Sequence, residues 1–311
     1  MRIVTFNVQN LRLRRAAGRP RFDGARDLDT PGDDTPAAGA LDLADRRLTA
    51  QVLAHAQADV IALQEVFDQE TLDYFHDHLL RAAGAPHYPH RLCRRGNDGG
   101  GRNLALLSRR PWASVQSHAQ LMAADFGGSN PPGTAPETPV FRRDCLSVRL
   151  DALTLFLCHF KAPWPDPAAA WPVRALEARA LRWLIDTRLG KDPQALWLIA
   201  GDMNEPSGPG APGSALAPLI ADGFAVDLMA RMPDAARWTF HEPGNGRYGR
   251  PDALLASPAL ARRFPHARPT ILREGLSQDA ARHAGPRLQD VGKHRPHASD
   301  HAAVLIDLPG L

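Results

Sequence analysis

The sequence predicts a layered α/β fold, and three observations lead there. Residues 42–57 carry Leu43, Leu48, Val52 and Leu53 at helical spacing and run into a buried-type strand, Asp59-Val60-Ile61-Ala62-Leu63-Gln64, that ends at Glu65. Residues 172–189 form a second helix of this kind, stopped by Gly190 and followed by the apolar run 196–200. Helices that feed strands in this way cover the faces of a sheet. Third, apolar strands repeatedly end in polar side chains, where layered α/β folds place their ligand crevices.

The elements follow in chain order. Residues 2–6 form a first strand on their β-branched and aromatic content. Residues 12–40 lose apolar periodicity and gather Arg14-Arg15, Gly18-Arg19-Pro20 and Pro31-Gly32-Asp33-Asp34, the composition of an exposed or mobile insertion. After the 42–57 helix and its strand, Asp68 is placed to cap a helix through Leu72, Phe75 and Leu79 that Gly84 ends. His76 and His78 are two apart on that helix, point different ways and read as solvated. Residues 103–108, 145–150 and 153–158 are strands, the last two joined in a hairpin across Asp151-Ala152. The 172–189 helix starts near Pro172 and carries Val173, Leu176, Ala180 and Leu184 on one stripe. A terminal strand, 302–307, follows Ser299-Asp300-His301, and no repeat of fixed period occurs. The whole of 1–311 reads as one domain.

Composition removes several function classes. The 37 Lys+Arg nearly balance 34 Asp+Glu, and Lys161, Lys191 and Lys293 are the only lysines. Whole-chain charge therefore selects no nucleic-acid partner. Cys93, Cys145 and Cys158 form no C-x-x-C pair, which argues against a disulfide framework or a cysteine zinc site and fits a reducing compartment. The start, Met1-Arg2-Ile3-Val4-Thr5-Phe6-Asn7, lacks a signal-peptide pattern, and the longest apolar run, 195–200, is far below the roughly 18–20 residues of a membrane span. The expectation is a cytoplasmic protein with no integral membrane association and no evident protein partner.

Five strand ends carry the chemistry: Asn7, Glu65, His159, Asp202 with Asn204, and Asp300-His301. Five such ends are more economically one site than five turns. Glu65 with Asp300 and the carbonyl of Asn7 suits Mg²⁺ or Mn²⁺, which prefer carboxylate and carbonyl oxygens. Asp202 suits holding or deprotonating a water. His159, His301 and Asn204 suit donating to phosphate oxygens. These are the parts for metal-assisted hydrolysis of a phosphate ester.

Seven segments in order carry a resemblance: Thr5-Phe6-Asn7, Val60 to Val66, Leu104 to Ser108, His159-Phe160-Lys161, Gly201-Asp202-Met203-Asn204, Arg250 to Leu255 and Ser299-Asp300-His301. With them the chain resembles the endonuclease/exonuclease/phosphatase superfamily, the DNase I-like fold, along nearly its whole length. The resemblance implies a four-layer α-β-β-α sandwich of two packed mixed sheets with helices on the outer faces. It also implies Glu65 as the main ligand of Mg²⁺ or Mn²⁺, with Asn7 and Asp300 near the metal. Asp202 would activate water, and Asn204 and His159 would contact the scissile phosphate. His301 would touch it too, with its ring held by Asp252. Arg143 resembles the family's basic contact, and Asn97, Lys161 and Trp164 are further candidates for substrate contact. Two departures stand out. Gln9 replaces an acidic residue that some relatives carry, and the carboxylate partner of His159 is open between Asp98 and Asp144.

Blander readings compete at several positions. His294, His297 and His301, or His87 with His90, mimic zinc spacing, but no helix aligns them and Pro296 breaks the first set. Trp183 and Trp197 read as core, Trp238-Thr239-Phe240 as a pocket rim. Arg94-Arg95, Arg102 and Arg109-Arg110 flank a Gly-rich loop and read either as phosphate contacts or as a solvated face. The leading function is a metal-dependent phosphodiesterase using in-line attack of water, most directly a nuclease acting on nucleic acid; for a nuclease the family implies 5′-phosphate and 3′-hydroxyl products. The same chemistry on a small phosphoester, an inositol phosphate or a phospholipid head group is the alternative, though no long hydrophobic loop suits lipid. A non-catalytic binding member is the second alternative, and the presence of Glu65, Asp202 and His301 opposes it.

Overall fold

The computed structural model describes every residue except 17, 27–34, 191 and 243–244. The chain runs β1 (Arg2–Leu11), β2 (Leu13–Ala16), β3 (Arg19–Phe22), α1 (Pro36–Ala56), β4 (Val60–Val66), α2 (Gln69–Phe75), β5 (His90–Arg94), β6 (Asn103–Ser108) and β7 (Ser114–Ser117). It continues with β8 (Cys145–Leu150), β9 (Leu153–His159), α3 (Pro167–Leu189), β10 (Leu196–Asp202), β11 (Val226–Asp227), β12 (Phe240–Glu242), β13 (Arg247–Gly249) and β14 (Asp252–Ala256). The last elements are α4 (Pro258–Arg263), β15 (Thr270–Leu272) and β16 (Ala303–Asp307).

Two six-stranded sheets form, in the orders β15-β16-β1-β4-β6-β5 and β11-β14-β10-β9-β8-β7. Each has one parallel pair at its centre, β1 with β4 and β9 with β10, and antiparallel neighbours around it. Side-chain alternation decides the layering. Ile3, Val60, Ala62, Leu104 and Leu106 meet Leu155, Leu157, Leu198, Ala200 and Leu254 between the sheets. Their neighbours Val4, Ile61 and Leu63 face the other way, onto Leu48, Val52, Leu72 and Phe75 of α1 and α2. On the second sheet Phe156, Ile199 and Leu255 face outward onto Leu176, Leu181 and Leu184 of α3. Two apolar faces per sheet leave only a helix–sheet–sheet–helix stack, the four-layer sandwich expected.

Several local readings need correction. Within 12–40, β2 pairs with β3, Phe22 is buried, and α1 already begins at Pro36, capped by Thr35. The arginines misled here, because two edge strands can be polar throughout. The Pro31 to Asp34 cluster lies outside the described residues. α3 starts at Pro167 rather than at Pro172: Asp166 caps it by accepting from Ala168 N at 2.9 Å, and Pro172 sits inside the helix. Asp68 caps α2 as expected, but His76 is buried, taking Tyr88 N on Nε2 at 3.1 Å, while His78 is exposed. The helix widens into a π turn over His76–Leu80 that rotates His76 inward. The three cysteines are free thiols, and among the described residues no helix is long and apolar enough to cross a membrane.

Candidate active site

Register brings the polar residues together. At the ends of three neighbouring strands of the second sheet, Asp202 pairs with His159 on one side and with Asp252 on the other. The first sheet packs over this row through β1 and β4. Asn7 on β1 donates from Nδ2 to Asp202 Oδ2 at 2.9 Å and to Glu65 Oε1 at 3.2 Å. His159 Nε2 lies 3.5 Å and His301 Nε2 3.8 Å from Asp202 Oδ2. Asp252 Oδ2 accepts from Thr239 Oγ1 at 2.6 Å and lies 2.9 Å from His301 Nδ1. Each sheet thus contributes one side of the site.

The backbone is bent to make this possible. Glu65 sits at φ 67°, where the register of β4 shifts between Gln64 and Val66, so its carboxylate turns out of the core face. Gln9 and Asn10 are left-handed as well, where β1 slips past β4, and Asn10 N donates to Glu65 Oε2 at 2.9 Å. Asn204 is left-handed at φ 52° and donates from Nδ2 to Phe160 O at 3.0 Å. Left-handed non-glycine residues cost about 1–3 kcal/mol each, so four around one cleft point to a geometry held for function. Arg46, fully buried in α1, meets part of that cost. Its guanidinium donates to Val8, Gln9, Asn10, Asp23 and Gly24 carbonyls, tying the kinked end of β1 to the helix. Nothing in the 42–57 spacing marks Arg46 as more than a solvated charge.

Electrostatics divide the residues by protonation state. Burial pushes the His159 pKa well below 6.5, and Arg143, His301 and Arg102 push it the same way, so the ring is neutral. Its Nδ1 is buried without a hydrogen-bond partner among the described residues. Burial would lower His301 too, but Asp252 and Asp202 outweigh it and hold the ring well above 6.5, protonated at neutral pH. Burial raises Asp202 to about 6; Asp252 adds to the rise and His301 opposes it. A carboxylate poised near neutrality beside an imidazolium is a base and acid pair.

The remaining candidates fall in different places. Asp300 donates from its N–H to Gln9 Oε1 at 3.1 Å and accepts from Ser299 Oγ at 3.3 Å, and its charge acts on His301. The Asn7 side-chain oxygen Oδ1 accepts from Gln9 N at 3.0 Å and its backbone carbonyl from Ser299 Oγ at 2.7 Å, so Nδ2 rather than the expected oxygen ligand faces the carboxylates. Arg143 is buried, with Nε 3.1 Å from Asp98 and NH1 donating to Phe160 O at 2.9 Å. Asp98 therefore serves Arg143, and Asp144 accepts from Ser117, His118 and Cys145; neither is the partner of His159. Asn97 donates its amide to Ala119 and Phe141 carbonyls, and Lys161 Nζ donates to Ala162 and Trp164 carbonyls. Arg102 Nε is 3.9 Å from Glu65, whereas Arg109 and Arg110 lie at the other end of the antiparallel β6, paired with Asp59 and Asp151. Trp238 is buried against Tyr248 and Arg273, while Phe240 packs against the His301 ring at 4.9 Å. His297 is buried near Gln9 and Ala25, and no three His, Cys, Asp or Glu side chains among the described residues form a metal cage.

The family model described as endonuclease/exonuclease/phosphatase family matches residues 4–301. The chain belongs to the endonuclease/exonuclease/phosphatase family. Solved structures agree at the level of fold. An AP endonuclease from Archaeoglobus fulgidus superposes with a TM-score of 0.60 at 14% identity, covering 99% of each chain. A mannosyl-6-phosphatase from Bacteroides thetaiotaomicron does so at 0.58 and 14%, covering 99% of this chain and 98% of that one. Truncated TDP2 from Caenorhabditis elegans gives 0.57 and 16%, covering 98% and 95%. No curated protein matches the sequence. As a member of this family the chain is a phosphoester hydrolase, and its structural neighbours include an AP endonuclease and a mannosyl-6-phosphatase.

Proposed function

We propose that this protein is a divalent-metal-dependent phosphodiesterase that hydrolyses nucleic acid with an activated water. The strongest support is the position of Asp202, a buried carboxylate 3.5 Å from a neutral imidazole, 3.8 Å from a protonated one and hydrogen-bonded to Asn7. Asp202 holds the water and takes its proton as the oxygen attacks phosphorus in line with the leaving oxygen. His301 donates to the phosphate as its charge grows, and Asp252 fixes the ring orientation that aims Nε2–H inward. His159 Nε2 and the Asn204 amide sit on the same rim to orient the non-bridging oxygens.

The donor set fits a hard cation. Glu65 Oε1 and Asp202 Oδ2 converge on one amide nitrogen, and Asp300 adds negative charge from the neighbouring loop. One or two carboxylates with water and substrate oxygens are a usual Mg²⁺ environment, which needs no all-protein cage. Glu65, with Asp300 beside it, would hold Mg²⁺ or Mn²⁺, which would supply Lewis-acid charge to the phosphate, while the Asn7 amide orients Glu65 and Asp202. Support for a nucleic-acid substrate comes from neighbours of the same fold, among them Danio rerio TDP2 solved with a single-stranded DNA product. The phosphatase neighbour keeps a small sugar phosphate as the second reading. The free thiols fit a reducing, cytoplasmic setting.

The test is hydrolysis of bis-p-nitrophenyl phosphate and plasmid DNA by the purified protein with Mg²⁺. Chelator, Asp202→Asn or His301→Ala should abolish it. Activity that persists in the Asp202→Asn/His301→Ala double variant overturns the site.

A further inference from the structure

Two large hydrophobic side chains are exposed among the described residues, Trp164 at 75% and Trp171 at 44%. Single exposed hydrophobics scattered over a surface need no explanation. These two are not scattered: both stand in one eight-residue stretch, 164–171, that leaves the site directly after His159. The stretch is also built. Lys161 Nζ donates to the Ala162 and Trp164 carbonyls, Lys161 N donates to buried Glu177 at 2.8 Å, and Arg174 NH1 reaches Lys161 O at 3.3 Å. Trp171 Nε1 donates to Gly213 O at 2.9 Å, which joins this segment to the loop that follows Asp202 and Asn204. Both indoles therefore stand on the segment that leaves β9 at the catalytic end of the parallel pair, Trp164 in the loop and Trp171 in the first turns of α3, where it is tied to the loop that leaves β10.

We propose that Trp164 and Trp171 form a stacking rim for unpaired nucleobases flanking the scissile phosphate, so that the enzyme grips single-stranded rather than duplex nucleic acid. The inference rests on the proposed phosphodiesterase function. An indole ring stacks on any base face and is indifferent to sequence, but in a duplex those faces are covered by neighbouring bases. Lys161 and Arg142, whose cationic groups are held by backbone carbonyls, give this edge the positive charge a phosphate strand needs, whereas Arg143 and Arg174 are buried beside Asp98 and Glu205. A bilayer is the poorer occupant. Exposed Asp166, the cap of α3, lies between the two tryptophans and would enter the membrane with them, and no third large apolar side chain stands with them among the described residues.

The test measures binding by the full chain in chelator, without turnover, to a short single-stranded oligonucleotide, to its duplex, and to an abasic strand of equal length. The single strand should bind more tightly than the duplex and the abasic strand. Trp164→Ala and Trp171→Ala should each weaken it about tenfold, Trp164→Phe should recover most of the loss, and the abasic strand should bind all variants alike. Equal losses on base-bearing and abasic strands, or none, overturn the proposal, as does Trp-dependent binding to phosphatidylcholine/phosphatidylglycerol vesicles without an effect on oligonucleotides. Hydrolysis of bis-p-nitrophenyl phosphate by the unaltered protein tests the underlying function separately, because that ester carries no base.

Discussion

Asp202 and Asp252 face each other directly across the antiparallel pair β10 and β14, two buried carboxylates in register. Like charges placed opposite on a sheet are unfavourable, and Asp252 adds to the rise that burial imposes on the Asp202 pKa. His301 relieves it by lying 2.9 Å from one and 3.8 Å from the other. Removing either acid would strip the buried His301 imidazolium of one of its two counter-charges, so the three groups stand or fall together.

Asp252 is thus a positioning residue for His301. Asp252→Asn keeps the shape but removes the charge that holds the imidazole protonated and aimed at Asp202. The expected result is a kcat lower by about 10–100-fold with KM little changed, in steady-state hydrolysis of bis-p-nitrophenyl phosphate. An unchanged kcat would remove Asp252 from the mechanism.

Gly201 sets the turn of β10 into the site. At φ 137° it lies in backbone that side chains avoid, and a Cβ there would stand 2.0 Å from the Cys158 carbonyl oxygen on β9. Gly201→Ala must push apart the two strands that carry Asp202 and His159, at a cost of about 4 kcal/mol or more. Gly84 is a control: its φ is 90°, but an added Cβ meets nothing within 4 Å, so Gly84→Ala should cost about 1 kcal/mol of backbone strain. Urea denaturation of both variants separates crowding from strain, and similar midpoints would refute the crowding account.

How much of this could be read from residues alone follows from the range of the interactions. Strands such as 103–108 and 145–150 coincide with the structure, because a continuous apolar run is a local signal. The polar strand ends were also readable, since an acid or imidazole after such a run has nowhere else to go. The segment Trp238-Thr239-Phe240 was readable as a pocket rim but not its partners, Asp252 for Thr239 and His301 for Phe240. Arg46 and Glu177 were not readable at all, because each acts on residues distant in the chain, Arg46 on the β1 kink and Glu177 on Arg142 and Lys161. The partner of His159 failed for the same reason. Asp98 is near in sequence pattern, yet Arg143 claims it.

Glu177 offers a prediction in the pH dependence of stability. It is buried on α3 beneath the loop that carries Lys161, and accepts from Arg142 N at 2.9 Å and Lys161 N at 2.8 Å. Burial raises its pKa from 4.5 to about 7, against those two amides and the charges of Arg143 and Arg142. A raised acid means that the folded chain holds a proton the unfolded chain has released. The stabilisation is therefore complete below about pH 4, where both states are protonated, and is lost as pH rises toward 7. A shift of this size corresponds to on the order of 3 kcal/mol. Glu177→Gln cannot titrate, so the difference in unfolding free energy between wild type and variant should fall by about that much from pH 4.5 to pH 7.5 and stay level above. Urea titrations at intervals across that range measure it. A difference independent of pH would show that Glu177 is already ionised in the fold, held by its amides and arginines against the cost of burial.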